Sequence, residues 1–187
     1  MSETKPKPIA IPAALVKLHG EQSTLPDVIA THAVAYLMAA FIGWLSWQEG
    51  LAGWQVGLLA VLGGDIAGGV VANVTAGTDR YYGARAQLRK VFLATHVIQP
   101  LVLWWLFPES YLVIAATAAV TLCSSLAVDL FADPPLDRTW AAAGMVVGCA
   151  VVIALQPPSA ALILLLVLYV AKLTLCFSPR WFPAPWS

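Results

Sequence analysis

The sequence predicts an all-α membrane protein, a helical bundle that crosses the bilayer six times, and three observations predict it. Of 187 residues, 60% are hydrophobic and 11% charged, with a mean hydropathy of +0.79, whereas soluble domains carry about 45–50% apolar and roughly 25% charged residues. Six apolar stretches, each long enough for the ~30 Å hydrocarbon core, fill most of the chain. Nine of the ten Lys and Arg residues fall in alternate connections between those stretches, as basic residues do when they are retained on the cytoplasmic side.

The first 28 residues are expected to form a cytoplasmic segment. They have no apolar run before Pro12, which argues against a secretory signal, and Ile9 to His19 suits a short helix lying on the membrane surface, ended by Gly20. Thr24-Leu-Pro-Asp27 then carries the marks of a helix start. The predicted spans are 29–47, 55–76, 90–107, 111–131, 139–155 and 159–177, within a transmembrane domain of 29–178 and ahead of a cytoplasmic tail of 179–187. Asp133-Pro-Pro-Leu-Asp-Arg138 ends span 4, Pro157-Pro158 makes the last turn, and Pro100 should kink span 3 because it cannot donate to the carbonyl of His96.

Orientation follows from charge. Lys5, Lys7 and Lys17 precede span 1; Arg80, Arg85, Arg89 and Lys90 separate spans 2 and 3; Arg138 follows span 4 and Arg180 follows span 6. The connections at Glu49, Glu109 and Gln156 hold no basic residue, so both termini are expected in the cytoplasm, in a cell inner membrane. Trp44, Trp47, Trp54, Trp104 and Trp105 should mark the outer interface, and Tyr81, Tyr82, Trp140, Trp181 and Trp186 the inner one. Cys123, Cys149 and Cys176 fall inside spans and read as packing residues. With zero net charge, nucleic-acid binding has no electrostatic footprint.

Ala60, Gly64, Gly68, Ala72 and Ala76 place a small residue at every fourth position of span 2, a groove against which another helix should pack. Gly144 and Gly148 repeat the spacing in span 5, which suggests a 3+3 inverted repeat, although the pattern is common in any helical bundle.

The polar residues at membrane depth are the candidate site. Asp65 stands eleven residues from the inner end of span 2, ~16 Å deep at 1.5 Å per residue. A carboxylate there costs at least ~2.5–3.5 kcal/mol and must face the bundle, find a partner or take up a proton. Thr117, Thr121, Ser125 and Asp129 form a polar stripe on span 4 that either lines an aqueous path or bonds to its own backbone and neighbours. Lys172 is close enough to the inner surface to snorkel, with an ion pair to Asp65 or Asp129 as the alternative. His32, Asn73, His96, Gln99, Asp129 and Lys172 all fall in the cytoplasmic half, which points to a cavity open to the cytoplasm with Asp65 at its floor. Arg80, Arg85 and Arg89 at its mouth would meet a lipid headgroup or an anionic substrate, or simply anchor the protein on its inner side.

Three function classes fit this pattern. One is binding or transport of a small molecule or proton, one an intramembrane enzyme acting on a lipid or isoprenoid, and one a non-catalytic subunit of a membrane complex or homo-oligomer. No His-x-x-x-His or Glu-x-x-His signature is present, so no metal is assigned. No cofactor is named; haem between His32 and His96 is allowed by depth and has no other support.

Overall fold

In the computed structural model, which describes residues 7–131 and 136–182, the chain is all-helical, 82% of it helix, apart from one short pair of strands. Helices α2 (Leu25–Gln48), α3 (Gly53–Asn73), α7 (Tyr111–Phe131) and α8 (Leu136–Leu155) are each long and apolar enough to cross a membrane. So is α9 (Ala160–Val170) together with the π-helical segment Ala171–Phe177 that continues it, which makes five such helices among the described residues. Their outward faces carry Leu37, Val61, Val146 and Ile153, all strongly exposed. That apolar surface suits lipid rather than water.

The stretch predicted as span 3 is two helices rather than one, α5 (Ala86–Thr95) and α6 (Ile98–Leu106), with the break at His96-Val97. Pro100 accounts for it, since the carbonyl of His96 lacks its i+4 amide partner. Basic residues Arg80 to Lys90 likewise do not lie on an open loop: α4 (Ala76–Gly83) takes up Arg80, Arg85 immediately precedes α5, and α5 takes up Arg89 and Lys90.

The N-terminal segment differs more from expectation. The helix expected over Ile9–His19 is shorter: strand β1 (Pro8–Ala10) pairs antiparallel with β2 (Gln22–Thr24), and between them a 3-10 turn at Ala13–Leu15 runs into the single turn α1 (Val16–His19). That turn is seated on α4, where Thr78 Oγ1 donates to Leu18 O at 2.6 Å and Tyr82 Oη donates to Lys17 O at 3.0 Å. Two carbonyls left open at the end of α1 are thereby satisfied. Tyr82 is therefore a buried residue, 6% exposed, and not an interfacial aromatic. Gly20, at φ +74°, and Gly77 meet backbone to backbone at this junction.

Packing of the long helices follows the small residues. Gly64 and Gly68 on α3 lie against Ala35 and Ala39 of α2, where a methyl at Gly68 would stand 3.0 Å from the Ala35 Cβ. Gly144 and Gly148 on α8 lie against Ser124 of α7 and Val170 of α9. Ile42, Leu59, Ile66, Leu103, Leu162 and Leu166 fill the core between these helices and are fully buried. Thr24 caps α2 through the Asp27 amide at 3.3 Å, as its sequence suggested. Ser159 caps α9 and is itself held by Glu49 at 2.6 Å.

At the basic end, the segment after the π-helical turn is held from two elements, α4 and α8. Asp79 accepts from the Trp181 and Phe182 amides at 3.3 and 3.0 Å, Asp137 accepts from the Arg180 amide at 2.8 Å, and Arg138 donates to the Arg180 and Trp181 carbonyls. The proline loop at 133–135, Lys5 and Trp186 lie outside the described residues.

Two predictions follow from this end of the molecule. A methyl at Gly77 would collide with the backbone of His19 and Gln22, whereas one at Gly83 would meet nothing. Gly77→Ala is expected to destabilise the protein by ~1–3 kcal/mol and Gly83→Ala to be neutral or stabilising by up to about 1 kcal/mol, read as thermal unfolding in detergent. Burial lifts the Asp79 carboxyl above its ordinary value, outweighing the two amide bonds and the Arg89 and Arg180 charges that pull it down. The folded state thus holds this proton more tightly than the unfolded chain, so the contribution of Asp79 is complete below the ordinary carboxyl value and is lost as pH rises through the raised one. Asp79→Asn should lose less melting temperature than the wild type as pH rises above the ordinary carboxyl value.

Candidate functional site

Asp65, Asn73, His96 and Lys172 line one cavity of about 310 Å³ between α3, α5 and the π-helical segment. It is walled chiefly by apolar and aromatic side chains, among them Leu88, Val91 and Phe92, with Lys17 and Tyr81 at the basic end. Asp65, Val91 and Thr95 are exposed on facing helices, so the cavity opens sideways between α3 and α5.

An ion pair forms its floor. Lys172 Nζ donates to Asp65 Oδ2 at 3.1 Å and to the Asp65 carbonyl at 3.4 Å. Lys172 does not snorkel, because its side chain is only 4% exposed, while the Asp65 side chain is 59% exposed toward the opening. The local backbone is built for this lysine. The last helix widens into a π-helix over residues 171–177, with the Ser178 amide donating to Leu173 O five residues back at 3.2 Å. Such wide turns are rare, are costly within an α-helix, and concentrate at functional sites.

Three neighbours complete the adaptation. Gly69 leaves the lysine its path, since a Cβ there would collide with Lys172 Cε. Asn73 Nδ2 donates to Lys172 O at 3.3 Å. Gln99 Nε2 donates to Asp65 Oδ2 at 2.6 Å, so that oxygen is shared between an amide and an ammonium. The Gln99 carbonyl oxygen is buried and has no partner among the described residues.

His96 stands at the break between α5 and α6. Its Nδ1 lies 2.6 Å from the Phe92 carbonyl. A carbonyl only accepts, so Nδ1 carries the hydrogen and, in the neutral ring, Nε2 is left as an acceptor. The imidazole packs on the Phe92 ring with centroids 4.0 Å apart, and Phe92 stacks on Phe177 at 3.9 Å. Phe92 and Tyr82 line the cavity toward the basic end, and Phe177 packs behind both rings.

The remaining predicted residues lie elsewhere. Asp129 is not in the cavity; it pairs with Arg89 Nε at 2.6 Å. Arg89 is buried rather than turned outward: it is 3% exposed, donates to Ser178 O at 2.8 Å and covers the Phe177 ring. Arg80 and Arg85 line a separate surface depression of about 180 Å³ with Glu21 and Tyr81, where Arg85 bridges Glu21 at 2.6 Å. His32 is also outside the cavity, its ring stacked on that of the buried His19 at 5.2 Å. Thr117, Thr121 and Ser125 are fully buried in packed core, and their stripe lines none of the cavity. Among the described residues no three His, Cys, Asp or Glu side chains are grouped as metal ligands.

Gly69 and Phe92 line the cavity and were missed as site residues. Gly69 was within reach, since Asp65, Gly69 and Asn73 recur at intervals of four and share a helix face. The π-helix that turns Lys172 inward has no sequence signature of that kind.

Breaking the pair from one side should destabilise the protein. Asp65→Asn strands a buried ammonium and Lys172→Met strands a carboxylate, each expected to cost on the order of 2–4 kcal/mol, somewhat less than a pair buried on both sides. The double variant should recover at least half of that loss in thermal unfolding. Compared with family models, curated proteins and solved structures, the chain matches none of them, and the reading of the site rests on this geometry.

Proposed function

We propose that the protein crosses the membrane six times with both termini in the cytoplasm, and that its cavity is a one-sided pocket binding a small amphiphilic molecule that enters from the cytoplasmic leaflet. Helices α5 and α6 supply the sixth crossing. Residues 86–106 form a broken but continuous path of ~31 Å at helical rise, enough for the hydrocarbon core. The orientation is supported by the basic residues Lys17, Arg80, Arg85, Arg89, Lys90, Arg138 and Arg180, which fall at one end, and by their absence around Glu49, Glu109 and Gln156. The glycines of α3 and α8, each set partly against the preceding helix, are compatible with a 3+3 repeat.

The observation that carries the binding reading is the half-open carboxylate of Asp65. A charged group at membrane depth has to be covered, and its exposed side looks into a mostly apolar cavity large enough for a ligand. Transport fits less well. Toward the opposite end Ile42, Leu59, Leu103, Leu162 and Leu166 form a closed apolar core among the described residues. The free Nε2 of His96 favours a second reading, an intramembrane enzyme in which this histidine takes a proton from the bound molecule.

Fusion of a fluorescent protein to the C-terminus should give a fluorescent product and fusion of a periplasmic phosphatase an inactive one; the reverse pattern would overturn the orientation. For the pocket, native mass spectrometry of the protein in lipid nanodiscs should show a retained small amphiphile. Val91→Trp, an exposed residue at the opening, should reduce that retention at least about tenfold, a loss of ~1.4 kcal/mol or more in binding, and unchanged retention would count against the pocket.

A further inference from the structure

Resting on that pocket, we infer that its ligand is electrically neutral and carries hydroxyl groups on its head, as a monoacylglycerol or a simple alkyl glycoside does. Charge is the first argument. The interior of the cavity holds one carboxylate and one ammonium, Asp65 and Lys172, already paired with each other. Lys17 is exposed at the rim, where solvent and headgroups screen it. A cationic or anionic head placed against the pair would find no spare counter-charge and would lose its hydration at membrane depth.

Hydrogen-bonding capacity is the second argument. Lys172 uses two of its three N–H groups on Asp65 and Asn73 uses one of two on the Lys172 carbonyl, which leaves one donor on each. Three acceptors on lining residues remain unengaged among the described residues: Asp65 Oδ1, Asn73 Oδ1 and Nε2 of His96. A site with more acceptors than donors is matched by a head that gives hydrogens without bringing charge. Hydroxyl groups do this, and each can also accept the remaining Lys172 hydrogen. The apolar walls at Leu88, Val91 and Phe92 suit the first part of a hydrocarbon chain, whose remainder would pass out through the side opening into the bilayer.

The test uses the wild-type protein in phosphatidylcholine nanodiscs and four probes with comparable C18 chains: monooleoylglycerol, an oleyl glucoside, oleylamine and oleate. Affinity is read by native mass spectrometry and by thermal shift. The two hydroxyl heads are expected to bind at least tenfold more tightly than the amine or the acid, and His96→Phe to weaken them about fivefold. Preference for the glycerol head or for the sugar head identifies the source, and either supports the inference. Equal or tighter binding of oleylamine or oleate would overturn it and leave the pocket standing. Binding of none of the four would also overturn it; in that case displacement of the retained amphiphile by Val91→Trp shows whether the pocket itself survives.

Discussion

One salt bridge organises the middle of this molecule. Asp65 and Lys172 are 107 positions apart, on helices otherwise joined mainly by apolar packing and the Asn73 bond to the Lys172 carbonyl, and they close to 3.1 Å. Neither charge is tolerable alone at membrane depth, so α3 and the last helix must register against each other with both groups in place. The surrounding sequence serves that register. Gly69 opens the path, Asn73 takes the lysine's carbonyl, Gln99 shares the aspartate oxygen, and the last helix unwinds by one residue per turn to bring the ammonium inward. An apolar pair of similar volume would satisfy packing equally well or better, which is why a role in binding explains the pair more economically than stability does.

A second network holds the basic end. Arg89 joins α5 to Asp129 on α7 and to the carbonyls that end the last helix, while Asp79 and Asp137 take the backbone amides that follow. The N-terminal segment is fastened beside them through Thr78 and Tyr82. Elements far apart in sequence are thus tied at one end by buried charge and backbone hydrogen bonds, which are worth more where water is scarce. The aromatic wall of Tyr82 and Phe92, backed by Phe177, is a product of this network, because Arg89 sits on Phe177 and α4 presents Tyr82. Arg89 thereby shapes the cavity without lining it.

Much of the helical architecture was legible in the sequence, because hydropathy and helical spacing are local. The apolar stretches, the cap at Thr24 and the small-residue face of α3 could all be read from neighbours within a few positions. The site was legible only by depth. Depth brought Asp65, Asn73, His96, Gln99 and Lys172 under one heading, but it grouped Asp129 and His32 with them, since residues at equal depth can point in opposite directions around the bundle. Arg89 shows the same limit, for a basic residue at a predicted boundary looks like an anchor until a carboxylate on another helix claims it. The N-terminal strands and the π-helix depend on distant contacts, through Gly77 and Asp65, that no local pattern encodes.

The two halves of the bundle obey different rules, and the difference bears on what a pocket here can do. Away from the basic end the core is dry, with Ile42, Leu59, Leu103 and Leu166 fully buried and the corner at Glu49 stapled to the start of α9. Toward the basic end the interior is polar, and the helices part between α3 and α5. Polar groups in lipid hold together only where they find each other, so a bundle that concentrates them at one end can also afford an opening there. The break at His96-Val97 lies between the two regimes, four residues ahead of Pro100, and turns the imidazole toward the same cavity as the ion pair. On the proposed reading, a molecule with a polar head and an apolar body would meet both regimes at once, its head against the pair and the histidine and its body in the hydrocarbon it came from.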